Sequence, residues 1–162
     1  MYAEQLARAI QLRTENKKQA SNQLLLQMIE QYPNDAVVHY QCAWSFDVLG
    51  EELKAVPYYE KAIKLGLSGA DLEGAFLGLG STYRTLGEYE KSEQVFLQGI
   101  ALFPTNKALQ VFYAMTLYNL QQHHQAMELL LQCLADTTTD DEILRYQKAI
   151  HFYASQLDKV WK

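Results

Sequence analysis

Residues 73–106 read EGAFLGLGSTYRTLGEYEKSEQVFLQGIALFPTN, and this stretch decides the fold. Its apolar and small residues recur every three or four positions on both sides of Gly87, the spacing that gives a helix one apolar face. Glycine is the residue expected just after the end of a helix. The stretch therefore predicts two amphipathic helices joined at Gly87. One such pair cannot bury its apolar face alone, so neighbours must stack on it.

These two helices resemble the tetratricopeptide repeat, a helix–turn–helix unit of about 34 residues. The residues that carry the resemblance are Phe76, Leu79, Gly80, Tyr83, Ser92, Phe96, Gly99 and Pro104. The run VPYYEKAIKLGLSG at 56–69, followed by LGLGSTYRTLG at 77–87, is similar to small bacterial proteins of this superfamily, most of them uncharacterised. The resemblance implies an all-α fold: a right-handed solenoid of antiparallel helix pairs with a C-terminal capping helix.

The rest of the chain divides into units of similar length. Gly50 precedes Gly87 by 37 residues, and Ala114 follows Gly80 by 34 residues. We therefore expect a single domain over 1–162, with a degenerate repeat at 2–35, repeats at 36–72, 73–106 and 107–140, and a capping helix at 141–161. In the last repeat Gln121 replaces the turn glycine, which predicts a different cap for that helix end.

Three local patterns add further expectations. Pro57 lies inside a second helix, so that helix either bends there or begins later. In the last repeat Leu130 is expected to line the core. Thr139 and Glu142 have the spacing of a capping box at the start of the capping helix. One apolar stripe on that helix is predicted to cover the last repeat, with a coiled-coil seam as the competing interpretation: Ile143, Tyr146, Ile150, Tyr153, Leu157 and Val160.

Composition and charge exclude several classes of function. The chain has 14 Lys and Arg against 19 Asp and Glu, a formal net charge of −5, without basic clusters. This balance argues against nucleic acid or an anionic membrane as the main target, because both require concentrated positive charge. The start, MYAEQLARAIQLR, has charges where a signal peptide has its apolar core. The expected location is therefore the cytoplasm.

The sequence contains no motif that indicates catalysis. It lacks a phosphate-binding glycine loop, an HExxH pair and a nucleophile elbow. Cys42 and Cys133 fall on apolar helix faces and are expected to be reduced core residues. His123 and His124 are expected to be solvated, since one histidine pair lacks the further ligands of a metal site. We therefore expect no enzyme activity, no cofactor and no metal.

In the family that the sequence resembles, the first helix of each repeat lines a concave groove. The expected partner-binding residues on these helices are Ile10, Tyr40, Trp44, Asp47, Leu77, Ser81, Arg84, Val111, Met115 and Tyr118. Aromatic residues dominate binding hot spots, which makes Trp44, Tyr40 and Tyr118 candidate anchors beside Met115. Arg84 and Asp47 would fix the register of the bound segment. The alternative for the three aromatic residues is that they pack in the core.

Two functions fit these observations. The first is a non-enzymatic adaptor that holds a peptide or helix of a partner protein in the groove. Family members that hold acidic chaperone tails use a clamp of lysines, asparagines and an arginine, but this chain has Leu6, Tyr40 and Leu77 among the corresponding places. The second function is a homodimer, formed through the same groove or through the C-terminal helix.

Overall fold

The computed structural model describes all residues, 1–162, and they form ten α-helices and no β-strand. The helices are α1 Tyr2–Thr14, α2 Lys18–Gln31, α3 Ala36–Asp47, α4 Glu52–Lys64, α5 Gly69–Thr85, α6 Tyr89–Leu102, α7 Lys107–Asn119, α8 His123–Thr137, α9 Asp141–Arg145 and α10 Gln147–Ala154. The all-α fold class is therefore confirmed. None of the helices combines the length and the apolar character that crossing a bilayer requires.

The chain folds into two compact units, residues 1–88 with α1–α5 and residues 89–162 with α6–α10. In the first unit each helix packs against the next one along the chain, and α3 also contacts α1 and α5. In the second unit α7 packs against α6 and α8, and α10 packs against α8. The amphipathic helices thus bury their apolar faces against their neighbours in sequence.

Four turns between helices share one backbone geometry. The turn residues Asn16, Gly50, Gly87 and Gln121 all lie in the left-handed region, with φ between +61° and +79°. The N–H of the following residue donates to the carbonyl five positions earlier at 2.8–3.0 Å in each case: Lys17 to Leu12, Glu51 to Phe46, Glu88 to Tyr83 and Gln122 to Leu117. This is the Schellman motif, which satisfies carbonyls that the helix end leaves without donors.

The end of α7 corrects the prediction made for Gln121. The helix does not use a different cap, because Gln121 adopts a φ of +63° and forms the same motif as the glycines. A residue with a Cβ enters this region at a cost of about 1–2 kcal/mol. The packing of the helices therefore imposes the turn, and glycine only relieves its strain.

Small side chains occupy equivalent positions where the helices approach closely. Seven residues before each turn residue is a buried alanine or glycine: Ala9, Ala43, Gly80 and Ala114. Five residues after each turn residue is a buried serine or alanine: Ser21, Ala55, Ser92 and Ala126. The Ser21 hydroxyl also donates to the Ala9 carbonyl at 2.7 Å. A larger side chain at any of these places would have to displace the neighbouring helix.

Pro57 does not delay the start of its helix. α4 runs from Glu52 to Lys64 with Pro57 inside it, so the alternative of a later start is wrong. Pro57 lies on the exposed side of the helix. The carbonyl that lacks its helical donor is that of Leu53, which is itself well exposed. Water can therefore replace the missing hydrogen bond.

The C-terminal helix is shorter and more interrupted than the sequence predicted. α9 ends at Arg145, α10 ends at Ala154, and Leu157 and Val160 lie beyond any helix. The N-cap of α9 is Asp140, whose carboxylate accepts a hydrogen bond from the Ile143 N–H at 3.0 Å. The predicted capping box of Thr139 and Glu142 is therefore wrong, since aspartate caps at least as well as threonine. The expected packing against the last repeat is present, with α10 packed against α8.

Candidate binding surface

The first helices of residues 1–88 form one candidate surface. Because α3 contacts both α1 and α5, residues at equivalent positions on these helices lie side by side. We call this the Trp44 surface, and its residues are Ile10, Arg13, Trp44, Leu77, Ser81 and Arg84. Trp44 is 41% exposed, whereas the other five are half-buried. An indole with that much exposure is the most prominent apolar group of this surface.

Arg13 holds Trp44 in place from the neighbouring helix. Its guanidinium carbon lies 4.0 Å from the centre of the indole ring, well within the range of a cation–π contact. The Arg13 Nη2 donates a hydrogen bond to the Gln41 Oε1 at 2.7 Å. Burial lowers the pKa of the Arg13 guanidinium, but an arginine stays protonated in proteins. The positive charge is therefore fixed over one face of the indole ring.

Tyr40 lies beneath Trp44 and does not reach the surface. It is 7% exposed, and its ring centre lies 6.0 Å from that of Trp44 and 6.2 Å from that of Tyr59. Gly74 on α5 leaves room for the Tyr40 hydroxyl. Tyr40 therefore packs in the core, as the alternative interpretation expected. Its contribution to a binding surface is to support Trp44 from below.

Asp47 is engaged within the protein. Its carboxylate accepts hydrogen bonds from the Tyr59 hydroxyl at 2.6 Å and from the Thr82 hydroxyl at 3.0 Å. Burial raises the pKa of Asp47, although both hydrogen bonds act in the opposite direction. Burial and the nearby carboxylate also raise the pKa of Tyr59. Asp47 thus joins α3, α4 and α5 through its carboxylate, and its role in fixing the register of a partner stays a prediction.

The second unit has its own first-helix residues on α7. Tyr118 and Met115 are exposed and Val111 is half-buried. The Tyr118 ring contacts the His123 ring, with 4.7 Å between their centres. Tyr118 therefore does not pack in the core.

The second unit also exposes apolar side chains outside the ten predicted partner-binding residues, near the C-terminal helix that the homodimer alternative named. Leu130, expected in the core, is 38% exposed. The rings of Phe152 and Tyr153 on α10 contact Trp161 from the C-terminal segment, with centres 6.2 and 5.5 Å away, and all three are about half exposed. The predicted apolar stripe contained Tyr153 but neither Phe152 nor Trp161.

Groups that often carry chemistry are packed or paired with neighbours. Cys42 and Cys133 are free and buried, as expected, and burial raises the pKa of the Cys42 thiol to about 12. The His39 Nε2 is 2.9 Å from the Pro33 carbonyl oxygen. His124 lies 3.3 Å from the Asp158 carboxylate. No three His, Cys, Asp or Glu side chains come together as a metal ion would require.

Comparisons with known proteins agree with this architecture. Residues 36–157 match the model of the family described as Tetratrico peptide repeat. Superkiller protein 3 of Saccharomyces cerevisiae is 26% identical over 105 residues, which are 60% of this chain but 7% of that protein. The chain thus spans a small fraction of the length of this relative.

Two solved structures have a similar fold. A MamA fragment (41-end) from Desulfovibrio magneticus RS-1 has a TM-score of 0.75 at 14% identity, covering 95% of this chain and 89% of that one. YrrB, described as a TPR protein with an unusual peptide-binding site, has a TM-score of 0.64 at 17% identity, covering 96% and 91%. At such identities the similarity shows the fold alone.

Proposed function

We propose that this chain, which belongs to the tetratricopeptide repeat family, is a non-enzymatic adaptor that holds a segment of a partner protein on the Trp44 surface. The family fold supports interaction with proteins or peptides. YrrB, which shares the fold, is described as having a peptide-binding site, and this supports a peptide segment as the ligand. An extended segment and a helix laid along the surface both fit this proposal.

The observation that carries the proposal is the state of Trp44. Its ring is 41% exposed although the residues around it are half-buried or buried. Tryptophan at the centre of a desolvated contact is the residue type that most often contributes 2 kcal/mol or more to binding, by the usual definition of a hot spot. An exposed indole on a rigid helix is therefore a strong candidate anchor.

The surroundings of Trp44 lower the entropic cost of binding. Arg13 packs over the ring, Gln41 holds Arg13, and Tyr40 supports the ring from below. A side chain that is already fixed loses little rotamer freedom when a ligand covers it. Leu77 and Ser81 on α5 extend the surface with one apolar and one hydrogen-bonding group. The ligand expected here presents an apolar side chain to Trp44 and hydrogen-bonding groups to its neighbours.

Selection of displayed random peptides on the intact chain tests this proposal. Selected peptides would be synthesised and titrated calorimetrically against the wild type, Trp44→Ala and Trp161→Ala. Trp161 is 51% exposed at the C-terminal end, so it is a matched control for the loss of an exposed indole. We expect Trp44→Ala to weaken binding about 30-fold, which corresponds to about 2 kcal/mol, and Trp161→Ala to leave the affinity unchanged.

Thermal unfolding followed by circular dichroism accompanies the titrations, because lost affinity has meaning only if the variant is folded. Peptides that bind Trp44→Ala as tightly as the wild type would place the site elsewhere. Failure to select any peptide would count against the adaptor function itself. The second hypothesis, a homodimer, draws its support from a different surface at the C-terminal end.

A further inference from the structure

One position in the second helices is buried in three of them and exposed in the last. Nine residues after the turn residue, α2 has Leu25, α4 has Tyr59 and α6 has Phe96, and each is at most 2% exposed. The equivalent residue of α8 is Leu130, which is 38% exposed. Since leucine is as apolar as the others, the difference comes from what packs against it.

The cover on the first three helices is the first helix that follows. α2 packs against α3, α4 against α5, and α6 against α7. The helices that follow α8 within residues 1–162 are the five residues of α9 and the eight residues of α10. Leu130 therefore lies at a position that a longer helix covers in the other three second helices.

α10 and the residues after it run antiparallel to α8 without closing this face. The Gln147 amide donates to the Ala135 carbonyl at 2.7 Å, near the end of α8. The Asp158 carboxylate reaches His124 at its start, 3.3 Å away. One stripe of α8 stays between 38% and 48% exposed beside this segment: Met127, Leu130 and Leu134.

The exposed apolar area at this end is large for one protomer. Two groups of exposed side chains lie on α8 and on the segment that packs against it, and we call them together the α8–α10 face. Each side chain is between 38% and 54% exposed: Met127, Leu130 and Leu134 on α8, and Phe152, Tyr153 and Trp161 on α10 and after it. Together they present on the order of 500 Å² of apolar surface. That lies in the upper range of the largest patch on a typical monomer, about 300–600 Å². A two-fold contact uses the patch twice and reaches the ~1,000 Å² that a specific interface requires.

We propose that the α8–α10 face is the interface of a homodimer, in which a second copy of this chain covers Leu130 and the aromatic cluster of Phe152, Tyr153 and Trp161. In a two-fold homodimer the same face of each copy contacts the other, so the charges on that face must not repel one another. The charges around this face have both signs, because Asp136 forms an ion pair with Lys107 at 2.7 Å and Asp158 is followed in the chain by Lys159. Like-charge repulsion therefore does not oppose self-pairing, as it would on a patch of one sign.

Sedimentation velocity of the intact chain from about 1 to 200 µM tests the proposal. We expect a dimer with a dissociation constant on the order of 10 µM, because the interface is at the small end of specific ones. The Phe152→Ala/Trp161→Ala double variant should raise this constant about 30-fold, as the loss of an interface hot spot does. Leu53→Ala removes a 77% exposed leucine from α4 and should leave the constant unchanged, as should Trp44→Ala.

Leu130→Gln provides a second variant on a different helix and should also weaken the dimer. Hydrogen exchange at low and high concentration then locates the contact, with added protection expected in α8 and α10. A wild type that remains monomeric at 200 µM overturns the proposal. So does a dimer that survives the double variant or gains protection at α3. Loss of the dimer in Trp44→Ala would place the interface on the Trp44 surface and contradict both this proposal and an open binding site.

Discussion

The two units of this protein differ in how completely they cover their apolar residues. Residues 1–88 expose three large hydrophobic side chains, whereas the shorter unit of residues 89–162 exposes fourteen. Both units consist of the same kind of amphipathic helix, so helix composition does not explain the difference. In the first unit each second helix is followed by another helix that packs on it, whereas α8 is followed by two short helices, α9 and α10, of which α10 packs on it. Three of the fourteen, Met127, Leu130 and Leu134, lie on α8, so the burial of a second helix depends in part on the element that follows it.

The two units also differ in how tightly their second-helix core residues are packed against the next helix. In the first unit the rings of Tyr40 and Tyr59 fill space that Gly74 and Gly78 leave open on α5. Phe96 in the second unit is packed against Tyr113, with 6.4 Å between ring centres. Leu130 has no comparable cover. The first unit is therefore expected to be more sensitive to substitutions at its second-helix core positions.

The comparison of Leu25 with Leu130 gives the largest expected effect. Both are leucines at the same position of a second helix, but Leu25 is fully buried and Leu130 is 38% exposed. We expect Leu25→Ala to lower the free energy of unfolding by about 3 kcal/mol, within the range for buried leucines. Leu130→Ala should cost about 1 kcal/mol at low protein concentration, because much of its side chain is already in water. Urea unfolding of each full-length variant measures the difference, and equal losses would mean that Leu130 is covered in solution.

Gly78→Ala tests the contact of α5 with the Tyr59 ring. A Cβ at this position would lie 2.5 Å from the Tyr59 Cζ, which belongs to a ring held by its hydrogen bond to Asp47. Replacing glycine by alanine inside a helix normally gains up to about 1 kcal/mol. Here overpacking should dominate and leave a net loss of about 2 kcal/mol, measured by chemical denaturation. A stabilised variant would show that α5 can move away from α4 without cost.

Combining Gly74→Ala with Tyr40→Phe distinguishes a contact of residue 74 with the Tyr40 hydroxyl from a contact with the Tyr40 ring. A Cβ at Gly74 would overlap the Tyr40 hydroxyl, whereas the nearest ring carbon is 3.0 Å away. The single alanine variant should lose about 1–2 kcal/mol. Tyr40→Phe removes the obstructing atom, so the double variant should recover most of that loss in a double-mutant cycle. Additive effects of the two substitutions would contradict the contact.

Much of the fold could be predicted from the sequence because its signals are local. The spacing around Gly87 and the small residues at Ala43 and Gly80 determine which helix faces can meet, and the structure buries both residues as expected. Trp44 could also be identified as a surface residue of the first helices. These predictions depend on periodicity and side-chain size, which a sequence displays directly.

The remaining features depend on contacts between distant residues. The engagement of the half-buried Asp47 depends on hydrogen bonds to Tyr59 and Thr82, which lie 12 and 35 residues away. The exposure of Leu130 follows from the early end of α10, which a stripe extending to Val160 did not predict. A repeat pattern states which residues are able to be buried. It does not predict whether another helix packs against them.

The smallest expected effect concerns one turn in each unit. Asn16 in the first unit and Gln121 in the second have nearly the same left-handed φ, +61° and +63°. Asparagine tolerates this region better than glutamine, because its short polar side chain can hydrogen-bond locally. We therefore expect Gln121→Gly to raise the free energy of unfolding by about 0.5–1 kcal/mol, and Asn16→Gly to change it by only a few tenths (about 0.3 kcal/mol). Thermal denaturation of the two variants side by side measures this, and a larger gain at Asn16 would show that the strain lies in the first unit instead.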